Sequence, residues 1–487
     1  MRNELLIELF SEEIPARMQR QAMDDAKAVF KQILDENCAD YAEIATYISP
    51  RRIAIRVEGL ENKTKRRTDA ERGPKVNAGE NAINCFLKKF NRQKDDLYER
   101  DGYYYLNTSS DGQEISEVMG DIIESFIAKM PWQKSMRWYI ETEKKLSAHW
   151  IRPIRSIMCV YGGKTIGKEI KSVGITTGNT TNGHRFLSPD KIYISTFDDY
   201  VNQLEKNHVI LDFHKKREYI RNEIMQTAGS MGLCLCEDEK LLDEVAGLVE
   251  YPYIHIGSID EKFMTLPAVV LSTSMKVNQK YFTLTYPDST IAPYFATVTN
   301  VPGTKVMFEG LGRVLRARLS DAMFFYKEDT KLSLDEIAKG LKNVVFHDEL
   351  GTMADKVERM LLLAENEDER RAIRLCKADL LTQMVGEFPE LQGIMGGIYA
   401  RVQGEKEEIC KAIEEHYKPR GANDTLPGTE LGLRLSYIDN LDTLETYKKH
   451  GITRTGSKDP YGIRRAEKTI QRIKEELTKR SRTDRIK

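Results

Sequence analysis

Apolar and polar positions along the chain change their period several times, and the changes mark its elements. Leu5–Phe10 is an apolar-rich run of strand length, and Ser11-Glu12-Glu13-Ile14-Pro15 reads as the turn out of it. Ala22, Met23, Ala26, Val29, Phe30, Ile33 and Leu34 then recur at helical spacing. Ile53, Ile55 and Val57 alternate with Ala54 and Arg56, the pattern of a half-buried strand, so the first 60 residues predict a small α/β unit. Residues 61–75 are polar and basic and read as a linker or arm. Ala82, Phe86, Leu87 and Phe90 predict a further helix, and Asp101-Gly102 before three tyrosines predicts a hairpin. Between 151 and 324, β-rich runs mix with short helices.

The most regular pattern lies at 341–400. Asp355 is the expected N-cap of a helix carrying Val357, Met360, Leu361 and Ala364. After the charged break at Glu365–Arg371, a second stripe of Ile373, Cys376, Leu380, Leu381 and Met384 predicts another helix. Lys377 lies on that stripe, and a cation there needs a partner or a route to water. Gly386, Pro389, Gly393 and Gly396-Gly397 then predict a packed loop.

A length of 487 residues implies about three domains, and 40% apolar residues supply their cores. The net charge of −1 hides local imbalance: residues 451–487 hold twelve Lys/Arg against five Asp/Glu. Such a tract is either a solvated face or a nucleic-acid footprint. Seven cysteines, scattered and without a CxxC pair, speak against a disulfide frame or a zinc site. No signal peptide and no apolar run of about 18 residues is present, so the chain is read as cytoplasmic, with no membrane partner.

Candidate chemistry is sparse. No GxxxxGK[ST], GxGxxG or HExxH string occurs, so no ATP site is legible. Trp132, Trp138 and Trp150 fall close together beside Lys134, Arg137, Arg152 and Arg155, which suits a base-stacking surface or a packed seam. Arg51 and Arg52 meet either phosphate or solvent. Arg313, Arg316 and Arg318 form an arginine-dense turn; on a helix the first two share a face and would clamp phosphates, unless Asp321, Glu328 or Asp329 pairs with them. His184 lacks a nucleophile or orienting acid at readable spacing, and His208 and His214, six apart, match no common ligand spacing. Asp459-Pro460 predicts the start of a basic helix carrying Arg464 and Arg465.

The strings LLIELFSEEIPARM, SPRRIAIRV, PWQKSMRW, TNGHRF, LLDEVAGLVEYP, SMKVNQKYF, RVLRARLSDAMFFYKED, GEFPELQGIMGGIYA and GSKDPYGIRR follow one another in an order that closely resembles the beta subunit of bacterial two-chain glycine–tRNA ligase. The resemblance implies an α+β multidomain fold. Its expected parts are an N-terminal α/β region with a basic arm (1–145), a mixed domain like the editing-type domain of the phenylalanine–tRNA ligase beta chain (146–325), and an all-helical HD-like module (326–475). Residues 476–487 read as a basic tail where an anticodon-binding domain of roughly another 200 residues would begin.

The implied function is to position tRNA(Gly) for glycylation by a separate alpha subunit, in an alpha2-beta2 assembly. ATP and Mg are then expected on alpha, with no cofactor, metal or catalytic residue in this chain. Candidate tRNA contacts are Arg313, Arg316, Arg318, Lys458, Arg464, Arg465, Lys134 and Arg137. The alternative is a metal-dependent HD-type phosphohydrolase, for which His347-Asp348 is the direct lead. The position aligning with that family's metal pair, however, reads Lys377-Ala378-Asp379, with its later aspartate at Asp439 or Asp442. A lysine there brings a cation instead of a lone pair, so these are read as degenerate HD-like positions.

Overall fold

The computed structural model describes residues 3–137, 139–140, 145–146, 149–421, 423–452, 459 and 461–484. The chain divides into two compact units, one formed by 1–256 with 296–304 and the other by 257–295 with 305–487. Both mix helices with small antiparallel sheets, an α+β arrangement. No helix among the described residues is long and apolar enough to cross a membrane.

The first unit is built on β1 (Leu5–Ser11), whose seven residues are all buried. Helix α1 (Ala16–Glu36) leaves its end and buries Ala22, Ala26, Phe30, Ile33 and Leu34, the expected stripe. Strands β2 (Glu43–Ser49) and β3 (Arg52–Glu58), helix α2 (Ile115–Lys129), and strands β4 (Ile154–Tyr161) and β5 (Lys164–Thr165) follow. The sheet runs β5-β4-β1-β3-β2, antiparallel throughout. Phe30 of α1 meets Phe126 of α2 edge-on at 5.8 Å. Leu6, Ala54, Met158 and Val160 pack instead against Phe197, Tyr200 and Leu204 of a later helix. Apolar cover on both faces is why β1 reads as a run and not as an alternation. Each fully buried side chain of this size contributes roughly 1.5–3 kcal/mol.

Three expectations need correcting here. Strand β3 is buried on both faces over Arg52–Ile55 and is not half-buried. Arg52 meets neither phosphate nor solvent: it is buried and paired with Glu8 and Glu250. The supposed linker at 61–75 contains a strand, Arg67–Lys75, paired with Tyr103–Ser110. Backbone pairing carries that strand, so side-chain hydropathy gave no warning. The hairpin at Asp101-Gly102 is present, with φ +50° and +76° at the two turn residues.

The second unit is helical apart from short strands. Helix α3 (Lys305–Asp329) precedes α4 (Met353–Leu361), α5 (Glu367–Leu375), α6 (Ile394–Val402), α7 (Glu407–Glu415), α8 (Glu430–Lys449) and α9 (Ile463–Asp484). A short antiparallel pair, Val345–His347 with Gly351–Thr352, interrupts the expected all-helical stretch. The arginine-dense turn is the interior of α3.

Three element ends differ from expectation, each for a local reason. Thr352, not Asp355, caps α4; Asp355 closes the capping box by accepting from the Thr352 amide. The second stripe is not one helix: α5 ends at Leu375, and a 3-10 turn over Ala378–Leu381 follows. Gly396-Gly397 lies inside α6 and not in a loop, because a Cβ at Gly397 would stand 2.6 Å from the Cys410 carbonyl oxygen. Only glycine lets α6 and α7 approach so closely.

Candidate functional site

Four helices converge on a buried charge network in the second unit. Asp439 and Asp442 lie three apart on α8 and therefore share a face. Lys356 reaches them from α4, Lys377 from the break after α5, and His416 from the end of α7. Lys377 Nζ donates to Asp439 Oδ2 at 2.7 Å and lies 3.0 Å from His416 Nε2. Lys356 Nζ stands 2.9 Å from Asp439 Oδ1 and 3.1 Å from Asp442 Oδ2. Arg359 adds a two-pronged contact to Asp442, at 2.7 and 3.1 Å. Lys356 and Lys377 are almost wholly buried.

The electrostatics follow from this packing. Burial pushes Asp439 up, but the ammonium groups of Lys356 and Lys377 outweigh it and hold the carboxyl far below the usual range. Burial likewise pushes Lys377 down, and Asp439 and Tyr417 reverse the sign, so it stays charged. His416 is depressed to about 3, first by burial and then by Lys377, and is neutral. Its Nδ1 sits 2.6 Å from the Ile413 carbonyl, so Nδ1 carries the proton and the Nε2 lone pair accepts from Lys377.

Of the expected HD-like positions, Lys377, Asp439 and Asp442 come together and Asp379 does not. Its carboxylate turns to the start of α6, accepting from the amides of Gly393 (2.6 Å) and Gly396 (3.1 Å). The free Asp379 oxygen has no partner, and burial lifts this group to about 6 against those two amide bonds. Lys356 and His416 were missed, although Lys356 gives the same signal as Lys377: a cation four residues from the apolar Met360. His347-Asp348 is not part of the network. His347 packs against Tyr447 and Tyr461, and Asp348 is exposed.

Chemically, two ammonium groups neutralise carboxylates that would otherwise attract a metal ion, and a lysine hydrogen takes the one histidine lone pair. Among the described residues, no group of three or more His, Cys, Asp or Glu is placed to hold a metal. Nothing here favours the phosphohydrolase alternative.

Over the network opens a cavity of about 350 Å³, floored by His416 and Asp439 and walled by Tyr417, Arg420, Tyr461 and Arg465. A second cavity of about 480 Å³ shares Pro419, Arg465 and Thr469 with it and is lined by Arg464, Lys468 and Arg472. The start of α9 positions the arginines: the Asp459 carboxylate accepts from the Ile463 and Arg464 amides, both at 2.9 Å. The helix begins at Ile463, three residues later than the Asp459-Pro460 signal implies, with Asp459 folded back as its cap. Pro460 and the candidate Lys458 lie outside the described residues.

The other candidates are dispersed. On α3, Arg313 is exposed, Arg316 pairs with Asp260 at 2.8 Å, and Arg318 stands 4.0 Å from Glu387. These acids are not the ones proximity in sequence suggested. Lys134 and Arg137 are exposed on the first unit, where Arg137 Nε donates to His149 at 2.6 Å. Trp132 and Trp150 pack edge-on at 5.1 Å, with Trp150 buried, and Trp138 lies outside the described residues. His184 is buried, its Nδ1 accepting from the Phe186 and Leu187 amides.

Comparison with known proteins bears on this geometry. A family model described as glycyl-tRNA synthetase beta subunit matches residues 5–484. A glycine–tRNA ligase beta subunit from Phenylobacterium zucineum (strain HLK1) is 39% identical over 487 residues, covering 96% of this chain and 72% of the relative. One from Rickettsia canadensis (strain McKiel) is 39% identical over 482 residues, covering 97% and 71%. One from Paracoccus denitrificans (strain Pd 1222) is 38% identical over 493 residues, covering 96% and 71%.

Proposed function

Since the chain belongs to the glycyl-tRNA synthetase beta subunit family, we propose that it holds tRNA(Gly) while a separate alpha subunit performs the ATP-dependent glycylation. The match along nearly the whole chain is the observation that carries this reading. The second unit supports it with a basic cleft and with a buried network whose lysines replace metal chemistry by fixed charge. On this reading ATP and Mg belong to alpha, the assembly is alpha2-beta2, and the enzyme works in the cytoplasm. The segment 146–325 is taken as an editing-like domain and 326–475 as an HD-like module retained as a scaffold.

Contacts are assigned to the phosphate backbone, through Arg464, Arg465 and Lys458 at the C-terminal helix, Arg313, Arg316 and Arg318 on α3, and Lys134 and Arg137 on the first unit. Backbone contacts position an RNA without reading its sequence. The decisive test is reconstitution. Purified chain with ATP, glycine and tRNA(Gly) yields no glycyl-tRNA until alpha is added, and product from this chain alone overturns the proposal. Affinity for tRNA falls steeply with salt; an affinity independent of salt refutes the phosphate contacts.

A further inference from the structure

The two joined cavities of the second unit have a chemistry narrower than a basic surface. Arg420 and Arg465 stand at the first, and Arg464, Lys468 and Arg472 line the second. Of the two acids that line the cavities, Asp439 is already neutralised by two lysines, and the Asp459 carboxylate is spent on the amides that open α9. Arg465 and Lys468 pair with no carboxylate among the described residues and line these cavities, so the ligand they suit is an anion.

Two groups wait without protein partners. Arg465 is exposed and pairs with no carboxylate among the described residues. Gly462 has φ +69°, a left-handed conformation that glycine adopts freely, and a Cβ there would lie 2.9 Å from the Arg465 Nη2. Thr469 is 3% exposed, lines both cavities, and its hydroxyl makes no hydrogen bond among the described residues.

The walls add flat aromatic surface. Tyr461 is 46% exposed, held from behind by His347 and Tyr447 at 5.6 Å between ring centroids. Asn440 gives its amide N–H to the Ser436 carbonyl at 2.8 Å, which leaves its own carbonyl for a donor. A ring platform, a side-chain amide and a guanidinium around some 350 Å³ suit a base with its phosphate. A double helix is too wide to enter.

The second cavity argues for a strand over a free nucleotide. Arg464, Lys468 and Arg472 recur every four residues along one face of α9. Steps of about 6 Å track successive phosphates of one backbone leading away from the first cavity.

From this arrangement we infer that the second unit captures an unpaired nucleotide of an RNA strand, its base on Tyr461 and its phosphate on Arg465, with the adjoining backbone along Arg464, Lys468 and Arg472. The inference rests on the tRNA-holding proposal and deepens it. In the network below, Lys356 and Lys377 already pair with the Asp439 and Asp442 carboxylates, and the cavity is assigned to holding the nucleotide.

The test compares three RNAs for binding to the full chain by fluorescence anisotropy at low salt: tRNA(Gly), a hairpin with a four-nucleotide single-stranded overhang, and the same hairpin blunt-ended. The overhang hairpin binds roughly ten-fold more tightly than the blunt one, the worth of one stacked base. Tyr461→Ala brings overhang affinity down toward the blunt value, and Arg465→Gln, which also removes a phosphate contact, weakens both hairpins but the overhang one more. Tyr461→Phe, which keeps the ring, restores overhang affinity. Equal affinity for overhang and blunt hairpins overturns the pocket while leaving the tRNA proposal intact. An equal loss on both hairpins in either variant also overturns it. Free AMP or CMP binding as tightly as the overhang, without competition from RNA, assigns the cavity to a small nucleotide and overturns the strand. Binding of none of the three RNAs overturns the tRNA proposal and this inference with it.

Discussion

Replacing Lys377 by Met tests whether the buried network is held by charge. The substitution keeps much of the side-chain volume and removes one ammonium. Almost wholly buried in the native cluster are two ammonium groups, Lys356 and Lys377, against the carboxylates of Asp442 and the largely buried Asp439; Arg359 is partly exposed and screened. Lys377→Met leaves one buried cation for two anions and strips the His416 Nε2 lone pair of its donor. Breaking a buried pair costs about 3–5 kcal/mol, and an orphaned acceptor about 1–3 kcal/mol. Lys356 stays 2.9 Å from the other Asp439 oxygen and absorbs part of the loss, so the expected cost at pH 7 is about 4 kcal/mol.

The pH dependence sets the sign. Asp439 is depressed in the folded protein, so its contribution is present above its unfolded value and lost as pH falls toward the folded one. In the variant that depression is weaker, so less remains to be lost, and the deficit against the native protein holds from pH 7 to about pH 4 and shrinks only below it. Urea unfolding followed by far-UV circular dichroism reads the helical second unit. Trp132 and Trp150 lie in the first unit, so their fluorescence reports the unit that does not carry the change. The double variant Lys377→Met/Asp439→Asn recovers at least about 2 kcal/mol relative to the sum of the singles. A loss under about 1 kcal/mol at pH 7, or a deficit that stays the same from about pH 4 down to about pH 2, refutes the reasoning.

Three further outcomes are expected. Burial raises Asp379 to about 6, so its favourable contribution is present below its unfolded value and lost as pH rises through 6. Measured by urea unfolding, the native protein loses about 3 kcal/mol relative to Asp379→Asn between pH 4 and 7; parallel pH profiles refute this. Burial depresses Lys216 to about 7, its Nζ donating to the Val249 carbonyl at 2.8 Å, so stability falls as pH drops from the unfolded lysine value toward 7. The native protein therefore gains on the order of 3 kcal/mol over Lys216→Met when pH is raised from 7 to 9.5, and a flat difference counts against a neutral buried amine. Gly397→Ala drives a methyl onto the Cys410 carbonyl and the Glu414 side chain and costs about 2–3 kcal/mol in the same unfolding assay; a neutral result means α6 and α7 are not in the close approach described.

Much of the local structure was legible wherever side-chain pattern and backbone agreed. The α1 stripe, the β1 run and the Asp101-Gly102 hairpin needed only nearest-neighbour information. Legibility failed where backbone pairing or contact with a distant element decided the matter. Arg67–Lys75 looked like an arm because its partner strand begins at Tyr103. The stripe after α5 looked continuous, but the chain breaks at Lys377, which turns its ammonium inward to an aspartate 62 residues later. Gly396-Gly397 looked like a loop signal because the requirement for glycine comes from α7, not from α6 itself.

The order of motifs along the chain is by itself enough to place it in its family, because long strings in a fixed order do not depend on what each residue touches. It also singles out Lys377 as a cation needing a partner, since the cost of burying a charge can be read from the apolar positions around it. Which atoms meet that need is decided only in three dimensions. Lys356, Lys377, His416, Asp439 and Asp442 are spread over 87 residues of sequence, and helix packing alone brings them within hydrogen-bond reach. Hydropathy is a property of single positions, but charge compensation belongs to pairs, and the pairs exist only once the helices have docked.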